Sequence, residues 1–255
     1  MTSVLPTENV ILMATLATLG TGLATGVGAL PVLITLRVSD KLLDALLGFA
    51  AGVMLAATAF SLLVPALEIA SVWTVMLGVL TGAGFVALAD RFVPHIHFIS
   101  GPEGPPSSAL RRITLLILAI TIHNFPEGMA VGVAFGLGDI RAATAVAIAI
   151  GLQNMPEGLA VALPLVREGY TRSRALAFAL LSGAVEPIGG ILGAAAVAVA
   201  HPLLPLGLAF AAGAMLYVVS EEMIPETHRK GFAKVGTTGL IIGFVVMMML
   251  DNLFG

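Results

Sequence analysis

The chain has 255 residues, of which 58% are hydrophobic and only 11% are charged, and its mean hydropathy is +1.04. Twelve basic and fifteen acidic residues cannot cover a soluble domain of this length, which would carry about 25% charged residues, so a water-soluble enzyme is excluded. The absence of cysteine excludes disulfides and thiolate metal sites, and the formal net charge of -3 means little on a surface that mostly faces lipid.

A helix needs roughly 20 apolar residues to cross the hydrocarbon. Eight such runs occur, and the short alternating segments of a β-barrel do not. The fold class expected is therefore an all-α polytopic membrane protein, with residues 1–255 forming one transmembrane domain. The first span covers about 9–36. It lacks a basic start and is too long for a signal-peptide core, so it is expected to stay in the protein. The second, 42–67, ends at Glu68 and places Met54, Ala57 and Ser61 on one face. The third, 72–89, opens with Trp73, a residue type that anchors at the interface, and ends at Asp90 and Arg91. The stretch 91–110 is rich in Pro, Gly and Ser, carries His95 and His97, and reads as a flexible loop. The fourth span is 113–137 and the fifth 142–166. The sixth, 175–200, and the seventh, 203–219, are separated near His201 because Pro202 and Pro205 break a helix. The eighth is 237–254 and holds Asp251.

The basic residues orient this array. Eleven of the twelve lie in the connections after spans 1, 3, 5 and 7, and only Arg141 lies on the other side. The positive-inside rule makes the first side cytoplasmic and puts both termini outside.

Spans 4 and 5 carry one motif twice. Ile122-His123-Asn124-Phe125-Pro126-Glu127-Gly128-Met129-Ala130-Val131 is matched by Leu152-Gln153-Asn154-Met155-Pro156-Glu157-Gly158-Leu159-Ala160-Val161. Consecutive spans run in opposite directions, so the copies form an inverted repeat, the arrangement around which transporters place their substrate. His123 is 11 residues beyond Arg112, Gln153 is 12 beyond Arg141, and Glu186 is 12 beyond Arg174. At ~1.5 Å per residue each lies roughly 16–18 Å in, near the middle of the bilayer. His123 and Asn124 share a helix face with Glu127, and Gln153 and Asn154 share one with Glu157. Pro126 and Pro156 cannot donate a backbone bond, so each is expected to kink its helix. Gly128, Gly132 and Gly136 allow another helix to approach closely.

Glu127, Glu157 and Glu186 thus put three carboxylates at mid-membrane with no Lys or Arg at that depth. Ionised, each costs several kcal/mol there, so the group must be protonated or must hold a cation. One imidazole, amide oxygens and carboxylates suit Zn²⁺ and other first-row divalent ions, and two half-sites could hold two ions. Helix packing by polar side chains is the bland alternative, and it does not account for three carboxylates in a duplicated pattern.

HNFPEG, then QNMPEG 30 residues later, then Val185-Glu186-Pro187 in the next span resembles the ZIP (zinc/iron-regulated transporter-like) family, in its GufA-like branch. The resemblance runs from the first span to the last. It implies eight helices with both termini outside and import of a divalent metal, chiefly Zn²⁺ with Fe²⁺, Mn²⁺ and Cd²⁺ as further cargo, into the cytoplasm by alternating access. It implies a binuclear site: His123, Glu127, Gln153 and Glu157 for the first ion, and Asn124, Glu127, Asn154, Glu157 and Glu186 for the second. Some members have Asp at the position of Asn154, and one charge fewer should weaken the second position. The resemblance also implies a homodimer, sliding of spans 1, 4, 5 and 6 against the rest, and a multi-pass place in the plasma membrane, the inner membrane of a bacterium.

The same resemblance gives roles to peripheral residues. Glu68 and Asp251 would form an acidic entrance, where an anionic rim raises the local cation concentration. Glu221, Glu222, Glu226 and His228 would receive the ion at the exit, and His95 and His97 would be a small zinc-sensing loop. Read without it, these are solvated groups at helix ends and in a loop. No nucleic-acid or nucleotide partner is expected, since no Walker motif is present, and the metal is cargo rather than cofactor. A proton- or cation-conducting channel is the nearer alternative, because buried carboxylates also relay protons. An intramembrane metalloprotease would need H-E-x-x-H, where this chain has H-N-x-P-E.

Overall fold

The computed structural model describes residues 7–35, 37–92, 95–97, 101–103, 112–167, 169–229 and 231–254. In chain order the helices are α1 (Thr7–Ala29), α2 (Pro31–Ile34), α3 (Asp40–Ala56), α4 (Val64–Ile69) and α5 (Val72–Phe92). A two-stranded hairpin, β1 (His95–His97) and β2 (Gly101–Glu103), follows. Then come α6 (Arg112–Gly136), α7 (Ile140–Arg167), α8 (Arg172–Gly183), α9 (Glu186–Val199), α10 (Leu204–Val218), α11 (Ile224–Arg229) and α12 (Ala233–Phe254). Starts are set by local chemistry. The Ser39, Asp139 and Thr171 side chains accept from backbone N–H groups of the first turns of α3, α7 and α8.

Seven helical stretches among the described residues are long and apolar enough to cross a membrane: Asn9–Ile34, Asp40–Ile69, Val72–Ala89, Ile140–Arg167, Arg172–Ala198, Leu204–His228 and Ala233–Phe254. They coincide with seven of the expected spans. The remaining expected span, 113–137, falls on the 25-residue helix α6. Leucines such as Leu12, Leu16 and Leu23 on α1 and Leu77 and Leu80 on α5 are more than half exposed, as lipid-facing side chains are. Trp73 stands 71% exposed at the start of α5, where an interface anchor belongs.

Four departures from the expected spans matter. The first span breaks at Leu30, because Pro31 starts a new short helix instead of continuing the old one. The second is not one α-helix: Ala57–Leu63 is a π-helix between α3 and α4. The seventh is interrupted likewise by a π-helix at Val219–Met223. In both, a proline one residue into the next helix, Pro65 or Pro225, cannot donate the i→i−4 bond, and the ladder widens just before it. The sixth span is divided at Ala184–Val185, so that Glu186 and Pro187 open α9. Pro126 and Pro156 lie inside helices that run on through them. The stretch 91–110, expected as a loop, is among its described residues the end of α5 and the hairpin, with His95 opposite Glu103. The side chains of His95 and His97 lie outside the described residues.

The packing divides the bundle. The α3 helix runs along α12 and α5 along α10, while α1, α6, α7, α8 and α9 pack on one another. Glycines mark the closest approaches, as in helix pairs that associate without a hydrophobic drive. A Cβ at Gly52 would strike the Leu240 carbonyl, and one at Gly213 the Val79 carbonyl, both within the first set. Within the second, Gly22 and Gly183 face each other's backbone, as do Gly132 and the Gly190 carbonyl. Between the sets, Gly207 meets only the Val133 side chain at ordinary van der Waals distance. Among the described glycines, the close approaches to another helix's backbone fall inside one set or the other, and the glycine at the boundary meets a side chain.

Gly132→Val should therefore force α6 off α9 and cost about 1–3 kcal/mol, the usual range for overpacking. Gly84→Ala, where nothing lies within 4 Å, should be neutral or stabilise by up to about 1 kcal/mol. Thermal unfolding of the two variants in detergent measures the contrast.

Candidate metal centre

Three helices of the second set carry the polar core. The α6 helix presents Asn124 and Glu127, α7 presents Gln153, Asn154 and Glu157, and the first residue of α9 is Glu186. Asn124, Glu127, Gln153, Asn154 and Glu186 are each no more than 1% exposed. Glu157 is less enclosed as a residue, but its Oε1 is shielded from solvent. The glycine after each motif glutamate brings a third backbone to the site. Gly128 admits the backbone of Glu186, which is how the start of α9 reaches Glu127. Gly158 admits the backbone of Thr25 on α1 in the same way.

Hydrogen bonds orient the amides. Gln153 Nε2 donates to Glu127 Oε1 at 2.7 Å. Asn154 Nδ2 donates to Glu186 Oε1 at 2.8 Å and to the Thr21 carbonyl of α1 at 2.9 Å. The opposite orientation of either amide would set oxygen against oxygen, so the network determines which end faces inward. What is left over is uniform. Asn124 Oδ1, Glu127 Oε2, Gln153 Oε1, Asn154 Oδ1, Glu157 Oε1 and Glu186 Oε2 are buried acceptors without a hydrogen-bond partner. An unmet buried acceptor costs about 1–3 kcal/mol, and more when charged. Six of them from three helices suit an oxygen-seeking cation, and no Lys or Arg occurs in the chain between 113 and 140, 142 and 166, or 175 and 228.

His123 is placed differently from expectation. Its Nε2 is paired with Glu222 of the π-helix before α11. Both His123 and Glu222 remain within electrostatic reach of Glu157. Among the described residues no three His, Cys, Asp or Glu side chains converge as a ready cage. The donor set here is mixed, half of it amide, and its imidazole is engaged elsewhere. His123 is thus engaged by Glu222, while Asn124, Glu127, Gln153, Asn154, Glu157 and Glu186 each keep a buried oxygen without a donor.

The peripheral residues separate as well. Asp251 accepts a 2.6 Å bond from Ser61 Oγ, which joins the π-helix of the second span to α12. Glu68 is exposed on α4. Glu221 is exposed, Glu226 is half-buried, and His228 Nδ1 lies 2.8 Å from the Ile224 carbonyl of its own helix. Of the four exit residues only Glu222 joins the site. Met54, Ala57 and Ser61 are all buried, so their shared face is inward. One participant carries no motif. Thr21 belongs to a Thr18, Thr21, Thr25 series at i, i+3 and i+7, a polar stripe that the spacing alone makes visible.

A profile of the family described as ZIP Zinc transporter matches residues 102–251. Zinc transporter GufA of Myxococcus xanthus is 45% identical over 94% of this chain and 98% of its own length. Zinc transporter ZIPB of Bordetella bronchiseptica is 43% identical over 91% of this chain and 78% of its own. Zinc transporter ZIP11 of Homo sapiens is 39% identical over 94% and 97%.

Replacing Gln153 with Leu removes the donor from Glu127 Oε1 and leaves that carboxylate wholly unpartnered. The metal-free protein should lose about 1–3 kcal/mol. Thermal unfolding in a chelator-treated detergent solution tests this, and a midpoint equal to that of the parent would refute the bond's role.

Proposed function

The chain belongs to the ZIP zinc transporter family, and on that premise we propose that it carries divalent metal ions, chiefly zinc, across a membrane into the cytoplasm. The observation that carries the reading is the set of six buried, unpartnered acceptor oxygens on α6, α7 and α9 with no cation of the protein's own among them. A dehydrated divalent ion replaces the missing donors, and amide oxygens bind weakly enough for it to leave again. The metal is substrate. Nothing in such a passage requires bond chemistry, so no enzymatic role is proposed.

We infer eight spans with both termini outside, from the distribution of eleven basic residues on one side. The first ion is held by Glu127, Gln153 and Glu157 with His123 joining as it leaves Glu222. The second is held by Asn124, Glu127, Asn154, Glu157 and Glu186. His123 turning between Glu157 and Glu222 gives the ion a step from the site toward the inner side. The Ser61–Asp251 bond ties the outer end together, which suits a state whose outer entrance is shut. Glu68 and Asp251 gather ions when that bond is open, and Glu221, Glu226 and His228, with His95 and His97, line the inner approach.

Access alternates as the α1, α6–α9 set moves against the α3, α5, α10, α12 set. The glycines support this, since the close approaches of glycine to a neighbouring backbone lie within the sets and Gly207 at the boundary meets only a side chain. The scaffold set also forms the face for a homodimer, and the protein resides in the plasma membrane, the inner membrane of a bacterial cell. Zinc, iron, manganese and cadmium share the ligand preferences of the site.

Glu127→Ala and Glu157→Ala should each abolish zinc uptake into proteoliposomes, at least a hundredfold below the parent, while the protein still purifies as a folded species. Zinc uptake surviving in the double variant would reject the site.

A further inference from the structure

The α1 helix meets the site where no motif residue lies, and its threonines behave unequally. Thr15 donates to the Ile11 carbonyl, Thr18 to that of Ala14 and Thr21 to that of Thr18, the usual way for a hydroxyl in an apolar helix to find an acceptor. Thr25 departs from this. Its natural acceptor is the Thr21 carbonyl four residues back. That carbonyl already takes the helical N–H and, from outside, the Asn154 amide at 2.9 Å. A carbonyl has two lone pairs, so both are used. The Thr25 hydroxyl is left buried, 1% exposed, and without a partner.

Two further observations bear on why. The Thr21 hydroxyl donates to the Thr18 carbonyl and stands near the Glu186 carboxylate, so turning its one proton would offer it to Glu186. Thr21 therefore binds Asn154 through its carbonyl, and Asn154 in turn donates to Glu186. Moreover, the inverted repeat sets α1 opposite α9. Gly128 of the first motif admits the main-chain O, C and Cα of Glu186, and Gly158 of the second admits the same three atoms of Thr25. Thr25 occupies beside the second motif the place that Glu186 occupies beside the first.

We propose that α1 completes the metal site, with Thr21 as a positioning residue that holds Asn154 and, through it, Glu186, and Thr25 as a neutral counterpart of Glu186 whose hydroxyl oxygen serves the ion or its bound water. The proposal rests on the transport reading above and adds to it a fourth helix. It also gives Asn154 a reason to be an amide: an aspartate could not donate to the Thr21 carbonyl and to Glu186 at once.

The test uses full-length protein, zinc titration in detergent and zinc uptake in proteoliposomes. Thr21→Val and Thr25→Val should each weaken zinc binding about tenfold, the usual worth of a hydrogen bond to a charged group, with a rise in KM larger than the fall in maximal rate. Thr21→Ser and Thr25→Ser, which keep the hydroxyl, should lie close to the parent. If Thr25 only packs, Thr25→Val relieves an unmet buried hydroxyl, leaves KM and Kd unchanged and overturns its role. Equal impairment of the Val and Ser variants at either position would equally overturn the proposal. Asn154→Asp should melt earlier than the parent without metal and gain more from added zinc, and an unchanged metal-free midpoint would count against the Thr21 clamp. Retained uptake in Glu127→Ala would reject the carboxylate site, and a parent protein that takes up no zinc would sink the transport reading itself. Inactive Glu127→Ala together with a parental Thr21→Val and Thr25→Val would sink only the part assigned to α1.

Discussion

Negative charge held deep in lipid without a positive side chain to balance it governs this molecule. Glu127, Glu157 and Glu186 come from three helices and carry no neighbouring Lys or Arg. Burial alone would make such a group a large liability. The surrounding structure does not remove it but arranges it. Amide nitrogens cover one oxygen of Glu127 and one of Glu186, and the other oxygen of each is left buried without a donor. A protein concerned only with stability would have leucine there. The retained cost marks a place built to be filled and emptied.

Much of this was legible in the residues. Apolar run length gave seven of the spans, because the bilayer sets a length that depends little on detail. The doubled PEG motif marked the buried carboxylates and amides of α6 and α7, since polar groups recurring in apolar helices are rare. The glycines after Glu127 and Glu157 packed as their size demands. The π-helices at Ala57–Leu63 and Val219–Met223 were not legible, because Pro65 and Pro225 permit a kink, a break or a widened turn, and packing chooses among them. The break before Glu186 was hidden for the same reason. His123 shows a further limit: spacing puts an imidazole on a helix face but leaves its rotamer to Glu222, a residue nearly 100 positions away in the chain. Thr21 takes part largely through its backbone carbonyl, which every residue has and no motif search can weigh.

The inverted repeat explains economy as well as symmetry. One motif supplies glutamate, amide and glycine in fixed order, and the glycine decides which helix is brought alongside. Around Gly128 that helix begins with an acid, and around Gly158 it carries threonines. The two halves of the site are therefore alike in backbone and unlike in charge. An ion meeting them would find unequal binding from a nearly equal frame, which favours passage over permanent capture.

The two widened helical turns have a consequence for where side chains point. A π-turn holds an extra residue in the space of an α-turn, so everything beyond it is rotated by about 100° from where a regular helical wheel would put it. Asp251's partner Ser61 and the histidine's partner Glu222 both sit inside such turns. A single-residue insertion or loss near Pro65 or Pro225 would thus leave span length and hydropathy almost untouched while swinging a different side chain toward the pore axis. A change of one position at either point would re-aim Ser61 or Glu222 without rebuilding the bundle.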